Sequence, residues 1–448
     1  MKQLWALLLW MGVCIPGFSQ IRSDTTFYSV KDFGAKGDGH TDDQQPILHC
    51  LKTAAAHPGI VVVRVPYGTY LIDQSLKVLV TGCDRLVIRG YSKAGKLPLL
   101  KTAAFITLLD ISSPLSAPKG KVSVEGLALQ GNNLPFSSTH PYFDKSGFTV
   151  GLRILNMAEA SVLHNQISNF YGDGIYVGYS DAGAGKPSHR FDHVNIIDNE
   201  VINCWGLHST KSPAGVFDNY GDGIYTSNLA SGNISKNKII NHLNITKQVG
   251  RAGLVLEYND EDCVVNGNYI FGYDRDIHLE ADVGGHLIEN NTLEGTDFGI
   301  LIFNNPAYRS KPIKIIGNII SNKGFPAGNH FTLIRNSQER CLLSFYAKGT
   351  CRQGSEIMDN HFVIYPGNAY KFSYIARFIA DGLRIKGNTF SSELPSGVRK
   401  TVFLNAVIDT LVNNTFDNVD LQVATHYQGR LVGGNKVDGK VNSAIKIQ

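Results

Sequence analysis

The sequence predicts an all-β protein: a parallel β-helix, a solenoid of short stacked strands, with a capping helix near its N-terminal end. Three observations predict it. A short unit, written apolar–x–x–Asn–x–apolar, recurs ten times between residues 162 and 437. The chain has 448 residues, beyond the ~250–300 at which one globular core stops growing, a limit that a repeat protein escapes because each unit packs only on its neighbours. The composition holds 46 Gly, 22 Phe and 19 Tyr against 4 Met, and beyond the N-terminal region no Glu/Lys/Ala/Leu-rich stretch offers a second helix.

The repeat is anchored on Asn165, Asn199, Asn237, Asn268, Asn291, Asn318, Asn360, Asn388, Asn414 and Asn435, at spacings of 21 to 42 residues. The shortest spacings give the bare coil; the longer ones carry insertions. Asn tolerates the left-handed backbone of a tight corner. Stacked Asn side chains also hydrogen-bond along a solenoid axis as an amide ladder. The flanking Ile, Val, Leu and Phe point inward at strand period. These asparagines are expected to hold corners and do no chemistry.

Residues 27–72 form a distinct opening unit, the cap and first coil. Phe27–Val30 reads as a strand and Asp32–Gly39 as a glycine-rich turn. Thr41-Asp42-Asp43 offers caps for a helix through about Ala56, with Pro46 tolerated in its first turn. Two strands follow, Ile60–Pro66 and Tyr67–Ile72. An amphipathic helix here covers the open edge of the first coil.

Residues 1–19 read as a secretory signal peptide: Lys2, then the apolar run Leu4–Val13, then Pro16, Gly17 and Ser19. The run is too short to span a bilayer with margin, and no later segment is apolar enough to do so. The mature part is then 20–448, exported to a periplasmic or extracellular destination. Six cysteines remain after the leader. Cys204 and Cys263 sit inside repeat units as small buried hydrophobes, while Cys341 and Cys351 are close enough to close a loop. No Cys/His spacing resembles a zinc site. The formal net charge of +4, without a Lys/Arg run, gives no basis for nucleic-acid binding.

Val30-Lys31-Asp32-Phe33-Gly34-Ala35-Lys36-Gly37-Asp38-Gly39-His40-Thr41-Asp42-Asp43 resembles the opening signature of the pectate-lyase-like superfamily of polygalacturonase-, rhamnogalacturonase- and epimerase-like proteins. The resemblance implies a right-handed β-helix and a polysaccharide or oligosaccharide as ligand. The glycines are not spaced as G-x-G-x-x-G, so a nucleotide cradle is disfavoured. The chain departs from the polygalacturonase pattern: it has no Asn-Thr-Asp, no Asp-Asp pair inside the repeats and no Gly-His-Gly. Arg384-Ile385-Lys386 matches that family's Arg-Ile-Lys, but it lies in a repeat unit. The calcium-binding aspartates of pectate lyases find no match, so no cofactor is expected, with Ca²⁺ entering only for a lyase.

Aligning the strand that follows each Asn corner locates candidate chemistry. Ile175, Ile224, Leu254, Ile277 and Ile300 form one inward column. Alternation then gives two outward columns. One is Tyr176, Tyr225, Val255, His278 and Leu301; the other is Gly178, Ser227, Glu257, Glu280 and Phe303. Strands stack about 4.8 Å apart, so Glu257 and Glu280 become neighbours, with His278 two residues before Glu280. Adjacent carboxylates raise one pKa, which keeps a general acid protonated, and a short separation leans toward a retaining glycosidase. Glu257, Glu280 and His278 are the catalytic candidates. Asp173, Tyr176, Asp222, Tyr225, Arg251 and Arg275 are the substrate-binding candidates. A solvated pair tied to Arg251 or Arg275 is the plain alternative. Inserts at 179–190, 206–220 and 303–312 are expected to wall the groove, bringing His189, Arg190, His208 and Lys211 near it.

Three functions fit. A glycoside hydrolase would use Glu257 and Glu280. A polysaccharide lyase acting on a uronic acid would need a base such as His278 or Tyr225 and a cation to neutralise the sugar carboxylate. A non-catalytic glycan-binding surface protein needs neither. The leader disfavours a phage tailspike. The sugar, the linkage, endo or exo action and the oligomeric state are open at this stage.

Overall fold

The computed structural model describes residues 25–116, 120–132, 149–180, 189–209, 217–242, 250–304, 310–324, 340–347, 351–367, 372–395 and 397–442. Residues 1–24, which include the expected leader, lie outside them. From Thr25 to Asn442 the chain winds as one right-handed parallel β-helix. Its strands fall into three long sheets of 14, 15 and 12 strands among the described residues. Each turn between the first and the last contributes one strand to each sheet. The pairs are parallel save two short antiparallel ones, Gly206–Ser209 with Phe217–Tyr220 and Asn435–Val437 with Lys440–Asn442. The inward residues merge into a continuous apolar core running from Val30 to Val419.

The helix spans Gln44–Ala56 and buries Ile47, Cys50, Leu51, Ala54 and Ala55 against the first coil. The aspartates of the opening motif serve local structure. Asp43 accepts from the backbone N–H of Lys36 and Gly37. Asp42 accepts from Gln44 N, and Asp38 from His40 N and Thr41 N. No helix among the described residues is long and apolar enough to cross a membrane.

All ten repeat asparagines form one buried ladder at the corner between the first and second sheets. The Nδ2 of each donates to Oδ1 of the next at 2.9–3.0 Å, from Asn165 through to Asn435. The backbone N–H of each donates to the same oxygen, as Asn291 N does to Asn318 at 2.9 Å. The corner itself corrects the sequence reading. The left-handed residue is the one before each Asn: His164, Asp198, Lys236, Gly267, Asn290, Gly317, Asp359, Gly387, Asn413 and Gly434. The Asn supplies the amide rung, and its predecessor makes the bend.

The six cysteines beyond residue 19 are buried thiols, which corrects the expectation of a Cys341–Cys351 loop closure. Arg384 lies on the first sheet in Leu383–Lys386, paired with Glu356 at 3.2 Å. That is a different sheet from the one that carries Glu257 and Glu280. Elsewhere in the solenoid, Asp282 is buried with Arg352 and with His286 Nε2 at 2.9 Å, an ionic knot between coils.

Candidate active site on the third sheet

The strand register matches the alignment read from sequence. Ile175, Ile224, Leu254, Ile277 and Ile300 are consecutive partners, as are Tyr176, Tyr225, Val255, His278 and Leu301. Ser227 pairs with Glu257, Glu257 with Glu280, and Glu280 with Phe303. Beyond the reach of that alignment the columns continue. Phe303 pairs with Tyr346, Leu301 with Ser344, and Ser344 with Arg377.

Glu257, His278 and Glu280 come together, their nearest donor atoms all within 4.8 Å of one another. Glu257 and His278 are buried, whereas the Glu280 side chain is 44% exposed. Their environments differ in charge as well. Burial holds the Glu257 carboxyl above the usual carboxylate range, although the Arg251 guanidinium 3.3 Å away opposes it. Glu280 is held below that range, chiefly by the neighbouring His278 imidazole, whose Nε2 lies 3.2 Å from Oε2. Burial lowers the His278 imidazole to about 4, so it is neutral near pH 7.

The His278 tautomer follows from its other contact. Arg275 Nη1 lies 3.1 Å from Nδ1. A guanidinium can only donate, so Nδ1 accepts and the ring proton sits on Nε2, facing Glu280. The same fact weighs against a metal at this cluster. An imidazole ligates through a lone pair, and the Nε2 that faces the carboxylates carries a proton. Two guanidinium groups beside the carboxylates also fit poorly with Ca²⁺, which is held by oxygen ligands.

A groove of about 470 Å³ opens beside Glu280. Arg275, His278 and Glu280 form its first coil; Phe298, Leu301 and Phe303 its second; Ser344 and Tyr346 its third; Arg377 its fourth. Phe303 and Tyr346 stack with centroids 5.5 Å apart and planes 7° apart. Phe303 is 46% exposed, a large aromatic face open on the sheet.

The other candidates are placed differently. Asp173 and Asp222 are buried, and Asp222 N donates to Asp173 Oδ1 at 2.7 Å. Arg251 clamps Asp222 with two hydrogen bonds of 2.9 and 2.6 Å. Asp173 and Asp222 are covered behind Glu257, whereas the Arg251 side chain is 24% exposed. Tyr225 is buried and stacks on half-buried Tyr176 at 4.6 Å, over Ala252 and Val255. Arg275, expected to meet substrate, lines the groove but spends one donor on His278. Arg190 is taken up by Glu261 and by the carbonyls of Leu229 and Asn259. His189 lies against Tyr179. Lys211 and the His208 side chain lie outside the described residues. The inserts adjoin the third sheet by their place in the chain, but residues 181–188, 210–216 and 305–309 also lie outside the described residues.

Sequence reasoning missed Ser344, Tyr346 and Arg377. Their strands, Cys341–Ala347 and Tyr374–Ile379, lack the Gly-containing start that marked the earlier ones. The alternation in Ser344-Phe345-Tyr346 was the available signal.

Residues 27–114 match the family model described as rhamnogalacturonase A/epimerase, pectate lyase-like. The solved structures agree along the whole solenoid. The Azotobacter vinelandii mannuronan C-5 epimerase AlgE4 A-module is 14% identical with a TM-score of 0.53, over 92% of this chain and 99% of that one. This is a parallel β-helix whose opening coils carry the pectate-lyase-like match. Other solved structures share the fold to a similar degree. The Dettilon tailspike protein gp208 is 14% identical with a TM-score of 0.53, over 92% of this chain and 68% of that one. The GH87 α-1,3-glucanase catalytic unit of Streptomyces thermodiastaticus is 14% identical with a TM-score of 0.50, over 94% and 69%. Among curated proteins, a LysM effector, LysM19 of Penicillium expansum, is 51% identical over 49 residues; the match spans 11% of this chain and only 4% of that protein.

Proposed function

We propose that the protein is an exported glycoside hydrolase acting on a polysaccharide or oligosaccharide. The observation that carries this reading is the in-register pair Glu257–Glu280, whose surroundings push the two carboxyl groups in opposite directions. Such a split assigns an acid and a base. Glu257, buried and protonated, gives its proton to the glycosidic oxygen as the bond to the anomeric carbon breaks. Glu280, ionised, attacks that carbon and forms a glycosyl ester, which water then opens with Glu257 taking back a proton. The close approach of the pair fits this two-step, retaining course. His278, with Nε2 3.2 Å from Glu280, favours its ionised form. Family models and fold relatives that act on glycans support the substrate class, and the leader over residues 1–19 supports export.

A lyase is the second reading, favoured by the two guanidinium groups of Arg275 and Arg377 in one groove, which suit a uronate. The bases first considered for it are poorly placed. His278 turns its lone pair to Arg275, and burial pushes the Tyr225 hydroxyl far above its ordinary range. Glu280 would have to serve instead. The test is turnover of rhamnogalacturonan, mannuronan and α-1,3-glucan, followed by new reducing ends and by ultraviolet absorbance. Reducing ends without absorbance are expected; an absorbing unsaturated product would replace hydrolase with lyase.

A further inference from the structure

The groove is asymmetric about the carboxylate pair. On the N-terminal side, the positions in register with the pair and its neighbours are covered: Ser227 and Val255 are fully buried and Tyr225 is 7% exposed. Glu257 itself is 5% exposed. On the C-terminal side the same columns open out through Phe303, Tyr346 and Arg377. The groove therefore begins at the coil of Glu280 and runs one way only, over four coils or about 14 Å at strand spacing. Its first open surface past Glu280 is the Phe303–Tyr346 stack, in register with Glu280 itself.

We infer that this is a chain-end site: the terminal sugar of a glycan sits at Glu257 and Glu280, and the following rings run toward the C-terminal coils over Phe303 and Tyr346. A pyranose ring presents a C–H face that packs on an aromatic face, and a stacked pair offers a surface longer than one ring. Arg377 at the far end supplies a donor to a hydroxyl or carboxylate of a later ring. Internal cleavage would need glycan on both sides of the pair, and the covered positions leave room on one side. The inference rests on reading the pair as the cleavage site.

Two measurements test it. The first uses hexasaccharides of rhamnogalacturonan, mannuronan and α-1,3-glucan, each fluorescently tagged at the reducing end. Tagged products that shorten one step at a time, or release of the tag in a single small first product, are expected. Tagged fragments of several lengths appearing together from the start would overturn the inference while leaving the hydrolase reading intact. The second needs no turnover. Calorimetry of the Glu280→Gln variant with each polymer should saturate at one protein molecule per chain, and many per chain would overturn the chain-end site. Absence of cleavage with one-per-chain binding would overturn the hydrolase reading and keep the chain-end site. In the same Glu280→Gln background, Phe303→Ala should weaken hexasaccharide binding about five- to tenfold and disaccharide binding less.

Discussion

Arg275 Nη1 lies 3.1 Å from Nδ1 of His278, and this one contact decides which nitrogen of the ring carries the proton. The donor fixes the acceptor, the acceptor fixes the tautomer, and the tautomer turns an N–H toward Glu280. Replacing Arg275 by Gln removes a positive charge that depresses the imidazole. The His278 pKa should then rise above its value of about 4, though burial keeps it below the ordinary ~6.5. Ring-proton or ¹⁵N titration by NMR reads this directly. An unmoved titration would show that Arg275 does not set the ring.

Catalysis by the pair should follow a bell-shaped pH profile of kcat/KM. Activity requires Glu280 ionised and Glu257 protonated. It should therefore rise as pH passes the Glu280 pKa, below the usual glutamate range, and fall as pH passes the Glu257 pKa, above it. Glu257→Gln and Glu280→Gln should each lower kcat by about 10²–10⁴-fold with melting temperatures close to the parent. Full activity in both would remove these residues from the chemistry.

Asp276 is a weakness in the core. It is wholly buried, and the Thr296 hydroxyl beside its carboxyl donates to the carbonyl of Phe298 at 2.6 Å. The neighbouring positions in its column are Gly253 and Gly299. Burial raises its pKa well above the ordinary value. The unfolded chain releases this proton near ~3.9, whereas the folded chain holds it, so stability falls as pH rises from there through the folded pKa. Asp276→Asn should stabilise the fold at pH 7–9, on the order of 1–3 kcal/mol. Chemical denaturation across that range measures it; a variant no more stable than the parent at pH 8 would count against the argument.

The ladder makes a contrasting prediction. Asn291 Nδ2 donates to Asn318 Oδ1 and to Val265 O, and its own Oδ1 accepts from Asn268 N and Nδ2. Asn291→Ala orphans several buried groups and should cost on the order of 3 kcal/mol. Asn291→Asp should cost more at neutral pH, where a buried charge faces Asn318 Oδ1, and should recover part of the loss in acid as it protonates. Melting temperature against pH for the two variants distinguishes them.

Much of this architecture was legible in the sequence because the solenoid writes its geometry as repetition. Ten asparagines marked ten rungs, and alternation from those rungs placed Glu257 beside Glu280 without structural help. Alternation states which way a side chain points but not what lies over it, so Asp173, Asp222 and Tyr225 looked open when they are covered. The corner asparagines were given a left-handed backbone because Asn tolerates it. The bend falls one residue earlier, where Gly267 and Gly317 alternate with His164 and Asp198 and leave no consistent residue type to read. Tyr346 and Arg377 escaped for a related reason. Their strands follow long insertions, and the register could not be counted across them from residue types alone.

The ladder has a further consequence for how such a molecule changes. Its rungs are identical although 21 to 42 residues separate them, so loops of any length hang from one invariant pitch. The coil is thus a unit of substitution. Excising the single coil from Tyr269 to Asn291 would remove His278 and Glu280 together and carry Phe303 into the place beside Glu257, so the carboxylate pair would vanish while the aromatic platform stayed. The distance between the acid and the aromatic platform is set in whole steps, like teeth on a rack, and cannot drift by fractions.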